Sequence, residues 1–137
     1  MALPSIGGGR QVGDGNVNEV ILGNQPAPAS IAAGAATLTA AQITGGIVLG
    51  NPGASAAAYT LPTAALLDAL LVNAKVDSSF DFSVINVDGN TSGVITMTAG
   101  TGWTIVGLAT IAATAGTTHR YRCRKTATGA WTLYSLS

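Results

Sequence analysis

Residues 119–136 have the sequence HRYRCRKTATGAWTLYSL. In its first part, arginines alternate with His119, Tyr121 and Cys123, and a period of two is typical of a β-strand. Residues 130–136 are rich in Trp, Thr, Leu and Tyr and form a second candidate strand. Residues 125–129, which end in a glycine, separate the two runs. The stretch therefore predicts an antiparallel hairpin.

The same period of two occurs further upstream. Phe80, Phe82 and Val84 alternate with polar residues, which indicates a half-buried strand. Residues 88–90, Asp-Gly-Asn, tolerate positive φ angles and favour a tight turn. We therefore predict a hairpin that joins this strand to a second strand over residues 94–98.

Other short runs have the composition and boundaries of strands, with Gly- or Pro-containing turns between them. Five or more short strands at such intervals are typical of a β-sandwich or β-barrel. We therefore expect an all-β fold, mainly β with one short helix, in a single domain over residues 31–137. The additional predicted strands are residues 47–49, 56–61 and 103–106, with Ile111 in another.

One helix is predicted over residues 64–72. Thr63 can cap its amino terminus, and Leu66, Leu67, Leu70 and Leu71 follow at helical spacing. A helix of this length is unstable alone, so we expect it to pack on the sheet. Residues 39–42, Thr-Ala-Ala-Gln, also have the spacing of a capping box that could begin one helical turn.

Residues 1–30 are dense in glycine and proline, which disfavours regular structure. Val17, Val20, Ile21 and Leu22 recur within this stretch, although a purely solvated linker would not need them. We interpret residues 1–30 as an extended arm that becomes ordered on a partner. These four apolar residues are its predicted partner-binding residues.

The composition points to an assembly. Charged residues are only 9% of the chain, whereas they are about 25% of a typical soluble domain. A protein with so few charges stays in solution most simply when neighbouring subunits cover much of its surface. We therefore expect an obligate oligomer.

Three other classes of protein are disfavoured. The formal net charge is zero, and nucleic-acid binding needs an excess of basic residues, so we expect no nucleic-acid partner. No stretch reaches the roughly 18 consecutive apolar residues of a membrane helix, so we expect no membrane partner. Residues 1–10 lack the features of a secretory signal, so we do not expect export by that route.

The chain has few side chains suited to catalysis: one histidine, one cysteine and six acidic residues. His119 lies within a predicted strand, which suits packing or an interface better than a Ser-His-Asp site. Asp77 and Asp81 lie on one predicted strand about 13 Å apart, too far for glycoside hydrolysis. Cys123 is interpreted as a small core residue. We expect no catalytic, cofactor-binding or metal-ligating residues, and no enzyme activity.

The aromatic residues allow two interpretations. They are core or interface anchors, or they form a platform for sugar binding. The residues concerned are Trp103, Trp131, Tyr121 and Tyr134.

A basic stripe is the one charged feature with a regular pattern. Arg120, Arg122 and Arg124 alternate and should project from one face of a strand, with Lys125 beside them. The three arginines are predicted partner-binding residues that form salt bridges with an acidic neighbouring subunit. The alternative is a solvated face whose arginines pair with Asp77 or Asp81.

Four blocks of sequence resemble a family of small structural proteins of tailed bacteriophages, the capsid decoration or cement proteins. The resemblance covers about residues 37–137, and the arm adds nothing to it. The blocks are FDFSVIN at residues 80–86, GWTIVG at 102–107, RYRCRKT at 120–126 and AWTLY at 130–134.

This resemblance implies a structural virion protein, made in the host cytoplasm and located on the outer capsid surface. Its implied partners are the major capsid protein and itself, commonly as a homotrimer. The arm would then cross capsid subunits as a strap and help to stabilise the shell. A tail-fibre or receptor-binding module of a phage is the alternative, since such modules are also β-rich trimers with few charges.

Overall fold

The computed structural model describes residues 22–88 and 92–137. The described part is mainly β, as the sequence predicts. Its elements, in chain order, are β1 (Ala29–Ser30), β2 (Ala36–Thr37), α1 (Ala40–Thr44), β3 (Ile47–Gly50), β4 (Ala57–Thr60), α2 (Ala64–Leu70), β5 (Ser79–Asn86), β6 (Ile95–Thr98), β7 (Trp103–Val106), β8 (Thr110–Ile111), β9 (Thr118–Ala127) and β10 (Ala130–Ser135).

The hairpin predicted near the carboxyl terminus is confirmed. Strands β9 and β10 are antiparallel neighbours, with Leu133 opposite Cys123. Residues 125–127, which the sequence analysis assigns to the loop, continue β9, so the turn consists of Thr128 and Gly129. Gly129 has a φ of 69°, a conformation that glycine adopts without a steric penalty.

In the described part, consecutive strands from β1 to β9 alternate between two sheets. One sheet has six strands in the order β1-β3-β5-β9-β10-β7, and the other has four in the order β2-β4-β6-β8. As a result, β1, β3 and β5 are parallel neighbours, and so are β2, β4 and β6. Strand β10 breaks the alternation by pairing directly with β9.

The predicted hairpin between residues 80–86 and 94–98 is therefore wrong. Strand β5 is paired on both edges, by β3 and β9, whereas β6 lies in the other sheet. The chain crosses between the sheets beside Asn86, whose buried amide donates to the backbone oxygens of Gly93 (2.8 Å) and Ala112 (2.9 Å). These hydrogen bonds hold the two sheets together where a hairpin turn was expected.

The described part contains two short helices, one more than the predicted fold class includes. The capping box that begins α1 is formed: Gln42 N donates to Thr39 Oγ1 (3.2 Å), and Thr39 N donates to Gln42 Oε1 (2.8 Å). Helix α2 begins as predicted, because the Thr63 hydroxyl accepts the Leu66 N–H. No described helix is long and apolar enough to span a bilayer.

Buried side chains from both sheets form one hydrophobic cluster. Tyr59 and Met97 enter it from the four-stranded sheet, and Phe82 and Leu133 enter it from the six-stranded sheet. Leu67 of α2 is also fully buried in it, so this helix packs on the domain as expected. The core is therefore shared by both sheets and α2.

The predicted arm is described only from Leu22 onward, and its preceding residues lie outside the described part. Residues 22–28 are exposed and have no regular secondary structure. Ala29–Ser30, which the sequence analysis assigns to the arm, form β1 and pair with β3. The ordered sheet thus begins two residues before the predicted domain boundary.

Two glycines with similar backbone angles provide a matched test of the turn between β6 and β7. Gly102 has a φ of 85°, and an added Cβ would lie 2.4 Å from the Gly129 oxygen and 2.7 Å from Ala64 Cβ. Gly116 has a φ of 83° and no atom within 4 Å of that position. Only the first position therefore combines an unfavourable φ with a steric clash.

We expect Gly116→Ala to lower the free energy of unfolding by about 1 kcal/mol through the positive φ alone. Gly102→Ala should cost roughly 2 kcal/mol more, because the methyl group also clashes with the β9–β10 turn. Urea unfolding followed by tryptophan fluorescence measures both values. Equal losses would contradict the tight packing of this turn.

Candidate interaction surfaces

The three arginines Arg120, Arg122 and Arg124 project from one face of β9, as predicted, and we call them the arginine ladder. Arg120 Nη2 lies 2.5 Å from Asp81 Oδ2, and Arg122 binds both oxygens of the same carboxylate at 2.7 and 3.0 Å. Arg124 Nε and Nη2 bind Asp77 Oδ1 at 2.9 and 2.5 Å. The arginines therefore pair with acidic residues of the same chain, which the sequence analysis left as one of two alternatives.

The ladder remains accessible and carries a net positive charge. Side-chain exposures of Arg120, Arg122 and Arg124 are 58%, 49% and 42%. Three arginines against two aspartates leave one excess positive charge on this face. Hydrogen bonds from the arginines, chiefly from Arg122, lower the pKa of Asp81 despite its partial burial. The exposed, positively charged ladder can therefore attract an acidic partner.

Asp77 and Asp81 do not lie on one strand, so that interpretation is wrong. Asp77 precedes β5 and has a φ of 73°, which is rare outside glycine. Its backbone N–H donates to the oxygen of Lys125 (2.9 Å), which places its side chain beside Arg124. Asp77, from the turn before β5, and Asp81, from β5 itself, therefore both pair with the arginine ladder.

Lys125 does not extend the basic stripe, because it points to the opposite face of β9. It is only 8% exposed, and its Nζ lies 2.9 Å from Asp68 Oδ1 in α2. Asp68 also accepts hydrogen bonds from Gly129 N (2.7 Å) and Trp131 Nε1 (2.8 Å). The two charged residues thus join α2 to both strands of the hairpin. Strand alternation places residue 125 inward, so the sequence contained this signal.

Two opposing effects set the pKa of Asp68. Burial raises it, but hydrogen bonds from Gly129, Lys125 and Trp131 outweigh burial and leave the pKa below its ordinary value. A carboxylate with a depressed pKa stabilises the fold above the pKa that it has in the unfolded chain. This stabilisation is lost as the pH falls through the lower pKa of the folded state.

The remaining residues considered for chemistry are buried, with the exception of Tyr134. His119 is 6% exposed, its Nε2 lies 2.5 Å from Ser135 Oγ, and burial lowers its pKa. Cys123 is fully buried, and burial raises the pKa of its thiol. Trp103, Trp131 and Tyr121 are buried as core anchors, whereas Tyr134 is partly exposed. Within residues 22–88 and 92–137, no group of three His, Cys, Asp or Glu side chains could hold a metal ion.

An open apolar depression lies between the two helices, and we call it the α1–α2 groove. Its volume is about 640 Å³, and no charged residue lines it. Leu38 and Pro62 contribute to it, together with Leu66 and Leu70 of α2, which are 59% and 47% exposed. The sequence analysis placed both of these leucines on the packed face of the helix, but only Leu67 is buried there. The groove was therefore not predicted.

A second uncharged depression lies on the other side of Leu70, and we call it the Trp131 groove. Its volume is about 430 Å³, and it lies between the ends of α1 and α2 and the start of β5. Phe80, Trp131 and Val72 are among its lining residues, and Val72 is 78% exposed. The two grooves therefore flank Leu70, the last residue of α2.

The predicted partner-binding residues of the arm are not placed by the structure, with one exception. Val17, Val20 and Ile21 lie outside the described residues. Leu22 is described and is 85% exposed. Its side chain is accessible to a partner.

Comparisons with known proteins give no match. No protein-family model, no curated protein and no solved structure matches the chain.

The Asp68–Lys125 pair should matter far more for stability than the ladder does. We expect Asp68→Ala to lower the free energy of unfolding by about 3 kcal/mol, because it leaves the Lys125 ammonium buried without its counterion. Asp77→Asn should leave stability nearly unchanged, since the pair of Asp77 with Arg124 is exposed and asparagine tolerates the positive φ of this position. Urea unfolding at neutral pH measures both variants. A similar effect of the two substitutions would contradict the role assigned to Asp68.

Proposed function

We propose that this chain is a capsid decoration or cement protein of a bacteriophage, which binds the outside of the major capsid shell as a homotrimer. The assignment to a phage particle rests on the sequence blocks at residues 80–86, 102–107, 120–126 and 130–134. The uncharged α1–α2 groove, with Leu66 and Leu70 exposed beside it, carries the proposal for assembly. Covering this groove would remove exposed apolar side chains from water, which favours association.

The chemistry of this groove supports self-association. Removing an exposed leucine side chain from water contributes on the order of 1–2 kcal/mol, so a partner that covers both leucines gains a useful contact. The lining contains threonine hydroxyl groups but no charge, so a partner with many charged residues would lose solvation there. The charge-poor surface of a second copy avoids that cost.

The finer architecture also belongs to this proposal. Because both sheets contribute to one core, we infer that they pack as a β-sandwich. The arm and the arginine ladder are then the elements that contact the shell. The ladder supplies charge-assisted hydrogen bonds, and the arm supplies apolar contacts through Val17, Val20, Ile21 and Leu22.

Electron microscopy of source particles labelled with antibody against this chain tests the location. Label distributed over the head shell is the expected result. Label restricted to the tail tip would overturn the cement proposal in favour of a receptor-binding module. Particles without label would overturn the assignment to a phage particle.

Exposed leucines at the α1–α2 groove provide a test of self-association. The double variant Leu66→Ser and Leu70→Ser should weaken association at least about tenfold, because the partner would bury polar groups in place of apolar ones. Leu108→Ser is the control, since Leu108 is 60% exposed but lines neither groove. Sedimentation velocity over a range of concentrations measures the effect. An unchanged oligomer in the double variant would exclude this surface as the interface.

The ladder can be tested by its dependence on salt. Replacing Arg120, Arg122 and Arg124 together by Ser should weaken binding to shells about tenfold at low ionic strength. At about 0.5 M salt, where charges are screened, the triple variant should bind nearly as well as wild type. Lys75→Ser removes an exposed cation outside the ladder and serves as the control. Cosedimentation with shells that lack this protein measures binding. An equal salt dependence of wild type and triple variant would show that the ladder is only a solvated face.

A further inference from the structure

The Trp131 groove is positioned next to the point where the arm leaves the domain. Thr44, the last residue of α1, lines this groove. The next residue, Gly45, accepts a hydrogen bond of 2.7 Å from Gln25 Nε2 through its backbone oxygen. Gln25 Nε2 also donates to the oxygen of Pro26 (2.9 Å), so the side chain holds its own segment against the end of α1. The arm is thus anchored at the rim of the groove.

The residues that precede this anchor are mainly apolar, like the residues that line the groove. Residues 17–22 are Val-Asn-Glu-Val-Ile-Leu, in which four of six side chains are apolar and one is charged. The groove is lined by Leu70, Leu71, Phe80 and Trp131 among others, and by no charged residue. Apolar side chains of the arm would therefore replace water on an apolar surface, while Glu19 can remain at the solvent side.

The distances that the arm must cover are short. Leu22 is three residues from Gln25, so it can reach at most about 10 Å from the anchor. Six extended residues span about 20 Å, which is enough to cross a groove of this size. A segment attached so close to its site has an effective concentration of roughly millimolar. This exceeds the concentration of separate chains in an ordinary protein solution.

We propose that residues 17–22 dock in the Trp131 groove of their own chain when the protein is free. The apolar residues of the arm are then covered until a partner displaces them. The proposal concerns the free protein alone and does not depend on a capsid partner. Leu70 lines both grooves, but Leu66 lines only the α1–α2 groove, so docking leaves the Leu66 side of that groove open for self-association.

Disulfide trapping in the full-length chain tests the docking directly. The variant Ile21→Cys with Val72→Cys places one thiol in the arm and one at the groove, and Cys123 does not interfere because it is fully buried. The control pairs Ile21→Cys with Leu108→Cys. Trp103 is the first residue of β7 and pairs with Trp131, whereas Leu108 follows the other end of this strand. The exposed thiol of the control is thus remote from the groove.

Under mild oxidation, we expect the Val72 pair to form an intrachain disulfide at least about tenfold faster than the Leu108 pair, because docking raises the local concentration of the arm thiol. Equal rates would overturn the proposal. Disulfide-linked dimers through Ile21→Cys and Val72→Cys would also overturn it, because they would place the arm in the groove of a second copy. Mass spectrometry of tryptic peptides without reduction distinguishes these results.

Hydrogen exchange provides a second measurement without introduced cysteines. The backbone N–H groups of Leu71 and Ala74 donate to Leu67 and Leu71 beside the groove. In the variant Val20→Ser with Ile21→Ser, their exchange should rise about tenfold, because the docked arm no longer protects them. The arm variant Val12→Ser lies outside the docking segment and should not change the exchange. Unchanged exchange in the double variant, with the fold intact by circular dichroism, would overturn the proposal.

Discussion

The alternation of side chains along β9 separates the core of the domain from its charged surface. This ten-residue strand lies between β5 and β10 and is hydrogen-bonded on both edges. Successive side chains point to opposite faces, so Tyr121 and Cys123 enter the core while the arginine ladder faces solvent. A shift of register by one residue would bury the arginines and expose the core residues. One strand therefore fixes both the packing of the large sheet and the position of its charged surface.

Lys125 is the exception to this separation of charge from core, and it explains the position of α2. An ammonium group on the inner face of β9 needs a counterion, which Asp68 of α2 provides. Because Asp68 also binds Gly129 and Trp131, the helix is held in one orientation on the hairpin. Leu66 and Leu70 are four residues apart in α2, so they lie on the same side of the helix, and in this orientation both are exposed to solvent. We infer that the buried ion pair acts mainly through this specificity, since such pairs add little net stability over apolar packing.

The sequence predicted features that depend on neighbouring residues, and it did not predict features that depend on distant ones. The last hairpin and the Thr63 cap were predicted because alternation and capping are local patterns. The hairpin at residues 88–90 was wrong because consecutive strands alternate between sheets, and each of β1 to β5 pairs with a strand two positions away in the chain. The grooves were missed because leucines at helical spacing predict one packed face, whereas this short helix lies at the rim of the domain. The sequence analysis assigned Lys125 to the basic stripe because of its charge, although its position in the strand alternation indicated the opposite face of β9.

Docking of the arm in its own groove would couple the free and assembled forms of the protein. The same apolar residues are proposed to contact a shell, and one segment cannot occupy both sites at once. The apparent affinity for a shell then falls in proportion to the fraction of arms that are undocked. In exchange, apolar residues that would otherwise promote aggregation are covered before assembly. The difference in free energy between groove and shell, rather than the strength of either contact alone, therefore sets how readily a free copy joins the assembly.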